Sequence, residues 1–126
     1  MKALTFLELI MVVVIIGILV VLAMPNFRRM RENGLDKDAK STLKLIIAAQ
    51  KIRHMETGRY FNATSHEAIN GNLSLALPVP PLNWNFTTKT TADGCCARAE
   101  RLYDDHRNWT YNLSLIEPDP TDVGCL

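Results

Sequence analysis

The hydrophobic positions of the chain begin with an almost unbroken run near its N-terminal end. Between Leu4 and Met24, Glu8 is the only charged residue. As an α-helix this run would be about 30 Å long, which is the thickness of a bilayer core. It would be apolar on every face, as in a helix surrounded by lipid or by a large core. The rest of the chain is too short to surround it, so we predict that it lies in a membrane or among copies of itself.

A second pattern, with a helical period, runs from Asn26 to Glu56. Its apolar residues mostly recur three or four positions apart, with lysines and arginines between them. These apolar residues are Met30, Ala39, Leu43, Ile46, Ile47, Ala49 and Ile52. We therefore predict an amphipathic helix that packs on a domain along one stripe. It should end at about residue 57, with Gly58 as its left-handed cap.

The remaining sequence predicts a loop followed by strands. Residues 58–81 are rich in Asn, Ser, Gly and Pro, which favours a loop. In residues 82–117 the period becomes two, with apolar residues alternating with Asn, Ser and Thr around Trp84 and around Trp109. A weaker strand, CCARAERLY, lies between these two segments. The predicted fold class is α+β: a long helix packed on a three-stranded antiparallel meander, whose other face meets water.

The residues around Glu8 resemble a known N-terminal signature. The segment ALTFLELIMVVVIIGILVVLAMPNF, residues 3–27, is similar in residue type, spacing and hydrophobic length to the start of type IV pilins and type II secretion pseudopilins. The resemblance implies that a prepilin peptidase cuts between Ala3 and Leu4, and that the new N-terminus at Leu4 is methylated. It also implies that Glu8 neutralises the N-terminal amine of a neighbouring subunit during assembly.

The same resemblance implies an organisation for the whole chain. Residues 1–3 would be a leader peptide. Residues 4–25 would be the hydrophobic helix that spans the membrane and later forms the filament core, weakened at Gly17 and Pro25. Residues 26–126 would be the globular domain of a pilin fold, in which the helix, the loop and the meander are followed by a C-terminal tail.

The charges of the chain are distributed unevenly. The formal net charge is +1, but residues 28–59 carry nine Lys or Arg against four Asp or Glu. Residues 60–126 carry four against eight. Such polarity favours head-to-tail packing of identical subunits, although solvated protein faces give the same pattern.

Cysteine usage predicts a disulfide. The three cysteines are Cys95, Cys96 and Cys125, and none belongs to a CxxC motif. A membrane-anchored chain whose domain lies outside the cytoplasm can keep a disulfide. Adjacent cysteines rarely bond to each other because the geometry is strained. We therefore predict a bridge from Cys125 to either Cys95 or Cys96, with one thiol left over.

Five Asn-x-Ser/Thr sequons raise the question of glycosylation. Their asparagines are Asn62, Asn72, Asn85, Asn108 and Asn112. An alternating strand with an Asn, Ser and Thr water face produces the same pattern without any glycan, and we favour that explanation.

Other candidate chemistry is weaker. Acidic residues near the C-terminus could offer oxygen ligands to calcium, but solvated turns explain them better. They are Asp104, Asp105, Glu117, Asp119 and Asp122. The histidines, His54, His66 and His106, lie far apart in polar contexts, so we expect ordinary surface residues. With no nucleophile and base at a recognisable spacing, we predict neither an enzyme nor a bound metal or cofactor.

We therefore expect a structural subunit that polymerises through its N-terminal helix into a helical, pilus-like filament. The filament would serve adhesion, motility or DNA uptake. The expected partners are further copies of the chain, a prepilin peptidase and the pilus assembly machinery, and not nucleic acid. The subunit would reside in the inner membrane before assembly and in an extracellular filament afterwards.

Three alternatives remain open from the sequence. The first is a major pseudopilin, whose short filament drives type II secretion. The second is a monomeric, membrane-anchored binding domain, in which Glu8 is incidental and lies in the lipid headgroup layer. The third is a cleaved secretory signal, although no A-x-A site closes the apolar run.

Overall fold

The computed structural model describes residues 4–92, 94–103, 107–113, 118–120 and 125. Two helices, α1 (Phe6–Thr57) and α2 (His66–Leu73), precede three strands, β1 (Trp84–Thr91), β2 (Gly94–Arg101) and β3 (Asn108–Asn112). The predicted α+β class is confirmed. The chain divides into two compact units, Met1–Leu35 and Asp36–Leu126.

The first unit contains the N-terminal part of α1. Every described residue from Leu4 to Arg31 is exposed. Among the described residues, α1 is the one helix that is long and apolar enough to cross a membrane, judged by length and composition. Pro25 lies inside the helix and does not end it. Because proline has no N–H, α1 lacks one main-chain hydrogen bond at this position.

In the second unit, α1 buries one stripe. The buried residues are Ala39, Leu43, Ile46, Ile47 and Gln50. Their spacing of three and four residues confirms an amphipathic helix. Gly58 follows the helix with a φ of 71°, and its N–H donates to the carbonyl of His54 at 2.8 Å, as predicted for a left-handed cap.

Two residues of the predicted stripe are exposed. Met30 belongs to the first unit and is exposed, and Ile52 is 54% exposed. At about 100° per residue, Ile52 lies on the side of α1 opposite to the core. The inward position at this level of the helix is held instead by the polar residue Gln50, which is fully buried.

The Gln50 side chain fixes the segment that follows α1. Its Nε2 donates to the carbonyl of Phe61 at 2.6 Å, and its Oε1 accepts from the N–H of Phe61 at 2.9 Å. The Thr88 hydroxyl donates to the same carbonyl at 2.9 Å. Both polar groups of the buried amide are therefore satisfied, which removes the cost of burying it.

The prediction of a loop throughout residues 58–81 is wrong, because this segment contains α2. Ser65 caps the helix: its hydroxyl accepts from the N–H of Ala68 at 3.3 Å. After the helix, Ser74 takes a left-handed conformation with a φ of 53°. Asn and Gly have low helix propensities, so the composition of this segment did not predict a helix. Burial of Ile69 and Leu73 stabilises α2 in spite of these residues.

The sheet is an antiparallel meander with the order β1-β2-β3, as predicted. The register pairs Phe86 with Ala99 and Ala99 with Trp109, so these three residues share one face. That face packs in the core with α1. Leu82, which we expected in the first strand, precedes β1 and is exposed, and residues 114–117 lie outside the described part of the chain.

The opposite sheet face is not simply open to water, contrary to our expectation. Cys96 and Thr110 lie on it and are 1% exposed. Asp119 forms an isolated antiparallel bridge with Thr110, with two N–H to carbonyl hydrogen bonds of 2.8 Å. Asp119 therefore pairs with the outer edge of β3.

The other edge of the sheet is also paired. Ala63 forms an isolated bridge with Thr88 of β1, through hydrogen bonds of 3.0 and 2.8 Å. Asn62 adds a side-chain acceptor for the N–H of Thr90 at 2.5 Å. Each edge strand thus meets a short segment of its own chain.

His66 is not a surface residue, so that expectation is wrong. It is 3% exposed, and its Nε2 lies 2.9 Å from the N–H of Phe86 while its Nδ1 lies 2.8 Å from the carbonyl of Pro78. Because Phe86 donates, Nε2 accepts and the proton is on Nδ1. The neutral ring thereby joins α2 to β1 and to the segment before it. His54 is exposed as expected and stacks on Tyr60 at 4.3 Å.

We predict that Gln50→Leu destabilises the second unit by about 1–3 kcal/mol, because the Phe61 N–H loses its partner while the side-chain volume is kept. The measurement is chemical unfolding of the full chain in detergent, followed by tryptophan fluorescence. Lys37→Leu, at an exposed position of the same helix, is the control and should stay within about 0.5 kcal/mol of the parent chain. An equal stability of the Gln50→Leu chain and the control would show that the amide contacts do not stabilise the unit.

Candidate functional site

The candidate site is the exposed apolar surface at the start of α1, with Glu8 in its first turn. The N–H of Glu8 donates to the hydroxyl of Thr5 at 3.3 Å, and the N–H of Leu9 donates to the carbonyl of Thr5 at 3.2 Å. Thr5 therefore acts as the N-cap of α1. The negative charge of Glu8 near the N-terminal end also complements the helix dipole.

Thr5 and Glu8 form a pattern that our sequence reading missed. Thr-x-x-Glu is the sequence of a capping box, in which the glutamate at the third helical position supports the helix start. The spacing alone was sufficient to detect it. Glu8 consequently has two candidate roles, local support of the helix start and pairing with a positive charge on another copy.

Gly17 and Pro25 both lie within α1. A Cβ at Gly17 would meet no other group within 4 Å, so packing within the chain does not require a glycine there. A glycine inside a helix costs about 0.5–1 kcal/mol relative to alanine. The weakening of α1 at Gly17 and Pro25 stays a prediction. Cleavage after Ala3, which lies outside the described residues, and methylation of Leu4 also stay predictions.

The apolar surface ends in a basic segment. Val20, Met24 and Phe27 line a shallow apolar groove together with the stem of Arg28. Arg29 and Arg31 follow and are exposed. The helix surface therefore changes within about two turns from purely apolar to cationic, as at a boundary between lipid or packed helices and water.

The disulfide joins Cys96 to Cys125, with a Cα–Cα distance of 5.8 Å and a sequence separation of 29. The prediction of a bridge to Cys125 is confirmed, and Cys96 is its partner. Because successive residues of a strand point to opposite faces, only one of Cys95 and Cys96 can face the C-terminal segment. In the chain-entropy model a loop of this length contributes about 3–4 kcal/mol.

Cys95 is a buried free thiol on the core face of β2. Its burial raises the pKa of the thiol to about 11, and attraction to the ammonium group of Lys51 lowers the pKa by a smaller amount. A thiol of this kind is a poor nucleophile at neutral pH. Cys95 therefore contributes to packing and is not placed for chemistry.

Two of the five sequon asparagines use their side-chain amides in hydrogen bonds within the chain. Asn62 is exposed, but its carbonyl oxygen accepts from Thr90, and the amide of Asn72 donates to the carbonyl of Ala68 at 2.9 Å. Asn85, Asn108 and Asn112 lie in strands on the outer sheet face. Glycosylation is a prediction that the structure leaves untested.

Candidate calcium ligands are mostly outside the described residues, namely Asp104, Asp105, Glu117 and Asp122. The main chain of Asp119 is used in the bridge to Thr110. Within the described part of the chain no group of three or more His, Cys, Asp or Glu is placed to hold a metal. His106 also lies outside the described residues.

Comparison with known proteins identifies one curated relative. The chain is 41% identical over 59 residues to the type IV major pilin protein PilA of Myxococcus xanthus (strain DK1622). The resemblance to type IV pilins is confirmed. The match covers 47% of this chain and 27% of that pilin, so the chain spans about a quarter of the length of its relative. No family model and no solved structure matches the chain.

This pilin-like chain has the features that were predicted for its fold. An apolar N-terminal helix, a helix-plus-sheet unit and a disulfide to the C-terminal segment are all present. The similarity does not extend over the length of the relative, so the assembly and the biological role are matters for proposal.

We predict that iodoacetamide labels Cys95 slowly in the folded chain at pH 8. At pH 8, a thiol with a pKa of about 11 is ionised in about one molecule in a thousand. A thiol with the ordinary pKa of 9.0 is ionised in about one molecule in ten at the same pH. Labelling should rise as the pH approaches 11. The folded chain keeps a proton that the unfolded chain releases above pH 9, so this group makes folding less favourable between pH 9 and 11.

The measurement is mass spectrometry of the alkylated Cys95 peptide, with the same chain in denaturant as the reference. Equal labelling rates at pH 8 in the folded and denatured chain would contradict the buried thiol. Cys96 and Cys125 should stay unlabelled in both samples as long as no reductant is added.

Proposed function

We propose that the chain is a structural, non-enzymatic subunit that assembles with identical copies into a pilus-like filament. The observation that carries the proposal is the exposed apolar helix, with one carboxylate in its first turn. Lipid satisfies this surface while the subunit resides in the inner membrane. Neighbouring copies of the same helix satisfy it in the filament.

Glu8 distinguishes a polymer from a plain membrane anchor. A carboxylate at the centre of a membrane helix costs about 2.5–3.5 kcal/mol on insertion scales, and less near the interface. In a bundle of helices the effective dielectric constant is low, so an unpaired charge is unfavourable and an opposite charge is strongly attractive. A positive group on the next copy therefore stabilises the assembled state more than the dispersed state.

The N-terminal amine of a processed neighbour has the right chemistry for this pairing. Cleavage between Ala3 and Leu4 leaves a positive amine at the N-terminal end of a helix, where the dipole is also positive. Such an amine gains from a carboxylate on another copy. Glu8 then sets the axial position of one subunit against the next.

The similarity to a major pilin and the disulfide to the C-terminal segment both favour a surface pilus over a type II secretion pseudopilus. Adhesion, motility and DNA uptake are the roles that we propose for such a fibre. Its assembly would need a prepilin peptidase and a pilus assembly machinery as partners.

We predict that filaments sheared from cells contain this chain and that its N-terminal peptide begins with N-methylated Leu4. The measurement is mass spectrometry of the sheared fraction and of the membrane fraction. A peptide that begins at Met1 in the filaments would contradict cleavage. Detection in the membrane fraction alone would favour the pseudopilin or the anchored domain.

We also predict that Glu8→Ala and Glu8→Gln both prevent assembly, with at least a tenfold loss of sheared filament, because pairing of one charge in low dielectric is worth more than 1.4 kcal/mol. Glutamine replaces glutamate in a capping box but carries no charge. Glu8→Asp is the charged control. Normal assembly of the Glu8→Gln chain would show that Glu8 serves only the helix start.

A further inference from the structure

The side of α1 that faces away from the core of the second unit carries a half-exposed apolar stripe, which forms one wall of an open groove whose other wall is residues 72–75. Its residues are Leu45, Ala48, Ile52 and Met55, and the three large ones are 52%, 54% and 77% exposed. The spacing of three, four and three residues repeats every seven positions, which is the pattern of a helix seam that packs against another helix. Groups of exposed apolar residues of this kind mark interaction sites.

Charged residues flank the stripe at the two positions that border such a seam. Lys51 precedes Ile52 on one side, and Glu56 follows Met55 on the other. Neither side chain forms a salt bridge with the described residues. In a parallel helix pair the first of these positions faces the second on the partner helix, five residues further along. Lys51 of one copy would therefore meet Glu56 of a second copy, and the reverse contact forms a second pair.

The membrane supplies the parallel arrangement. Identical chains that enter a bilayer by the same apolar segment have the same orientation and the same depth. The flanking charges favour the same arrangement for the stripe, because an antiparallel pair would place Lys51 opposite Lys51 and Glu56 opposite Glu56. This step rests on the proposed function, because it requires the membrane-resident subunit.

We propose that this stripe is a lateral contact between two membrane-resident copies of the chain, in parallel and in axial register. The seam has two heptads, which is shorter than a stable coiled coil in solution. Confinement in the membrane raises the effective concentration of a second copy and makes a weak contact sufficient. The contact differs from pairing at Glu8, because it uses the second unit and precedes filament assembly.

The experiment is disulfide cross-linking in membranes from cells that make the full chain with Cys95→Ala, so that no native free thiol remains. Ile52→Cys places a thiol at the centre of the seam, and Glu67→Cys, on the exposed side of α2, is the matched control. Under mild oxidation the seam variant should form a covalent dimer and the control should not. Formation of Cys96–Cys125 in each variant, mapped by mass spectrometry, shows that the second unit is folded.

Charge reversal tests the partner and the register. Lys51→Glu in the Ile52→Cys chain replaces two attractive pairs by two repulsive ones, so the dimer yield should fall about fivefold. Adding Glu56→Lys reverses both charges and should restore the yield. Dimer formation that is equal at Ile52 and Glu67, or a yield that the double reversal fails to restore, overturns the proposal.

The sheared filament fraction is collected from the same cells. Filaments without a seam dimer in the membranes would overturn this contact and leave the proposed function standing. A seam dimer in the membranes with no filaments would support the contact and contradict the assembly function.

Discussion

The structure depends on how the apolar surface of α1 is covered, and this differs between the two units of the chain. In the second unit the helix has a sheet to pack on, and it buries one narrow stripe that ends at Gln50. In residues 4–27 of the first unit every side chain is exposed, and the surface is apolar apart from Thr5, Glu8 and Asn26. Only lipid or other helices can cover it. The exposed N-terminal surface therefore requires an environment that the chain does not itself supply.

The second unit is built to hold its sheet against α1 with few residues. Polar groups do much of this work: the Gln50 amide holds the segment after α1, and the neutral His66 ring joins α2 to β1. At the far end of the sheet, Asp36 of α1 meets Arg107 at 3.0 Å, and the ammonium of Lys40 lies 4.0 Å from the ring centre of Trp109. A small core is thereby supplemented by hydrogen bonds and by packing of charged groups at its margin.

The sequence predicted the features that depend on period and on local chemistry. The alternation around Trp84 and Phe86 placed β1, and the left-handed cap at Gly58 followed from one residue. The features that depend on tertiary contacts were missed. The helix α2 contains residues that disfavour helices, and burial of its apolar side chains stabilises it. His66 is a core residue because it bonds to partners that lie twelve and twenty positions further along the sequence. The choice of Cys96 over Cys95 needed the sheet faces, which the sequence did not specify.

Each edge strand of the sheet pairs with one residue of its own chain, β1 with Ala63 and β3 with Asp119. Open strand edges of neighbouring molecules can pair with one another and lead to β-aggregates. At the positions where an edge is paired within its own chain, a second molecule can make contact only through side chains, such as those on the exposed side of α1. Contacts of that kind separate without breaking any main-chain hydrogen bond.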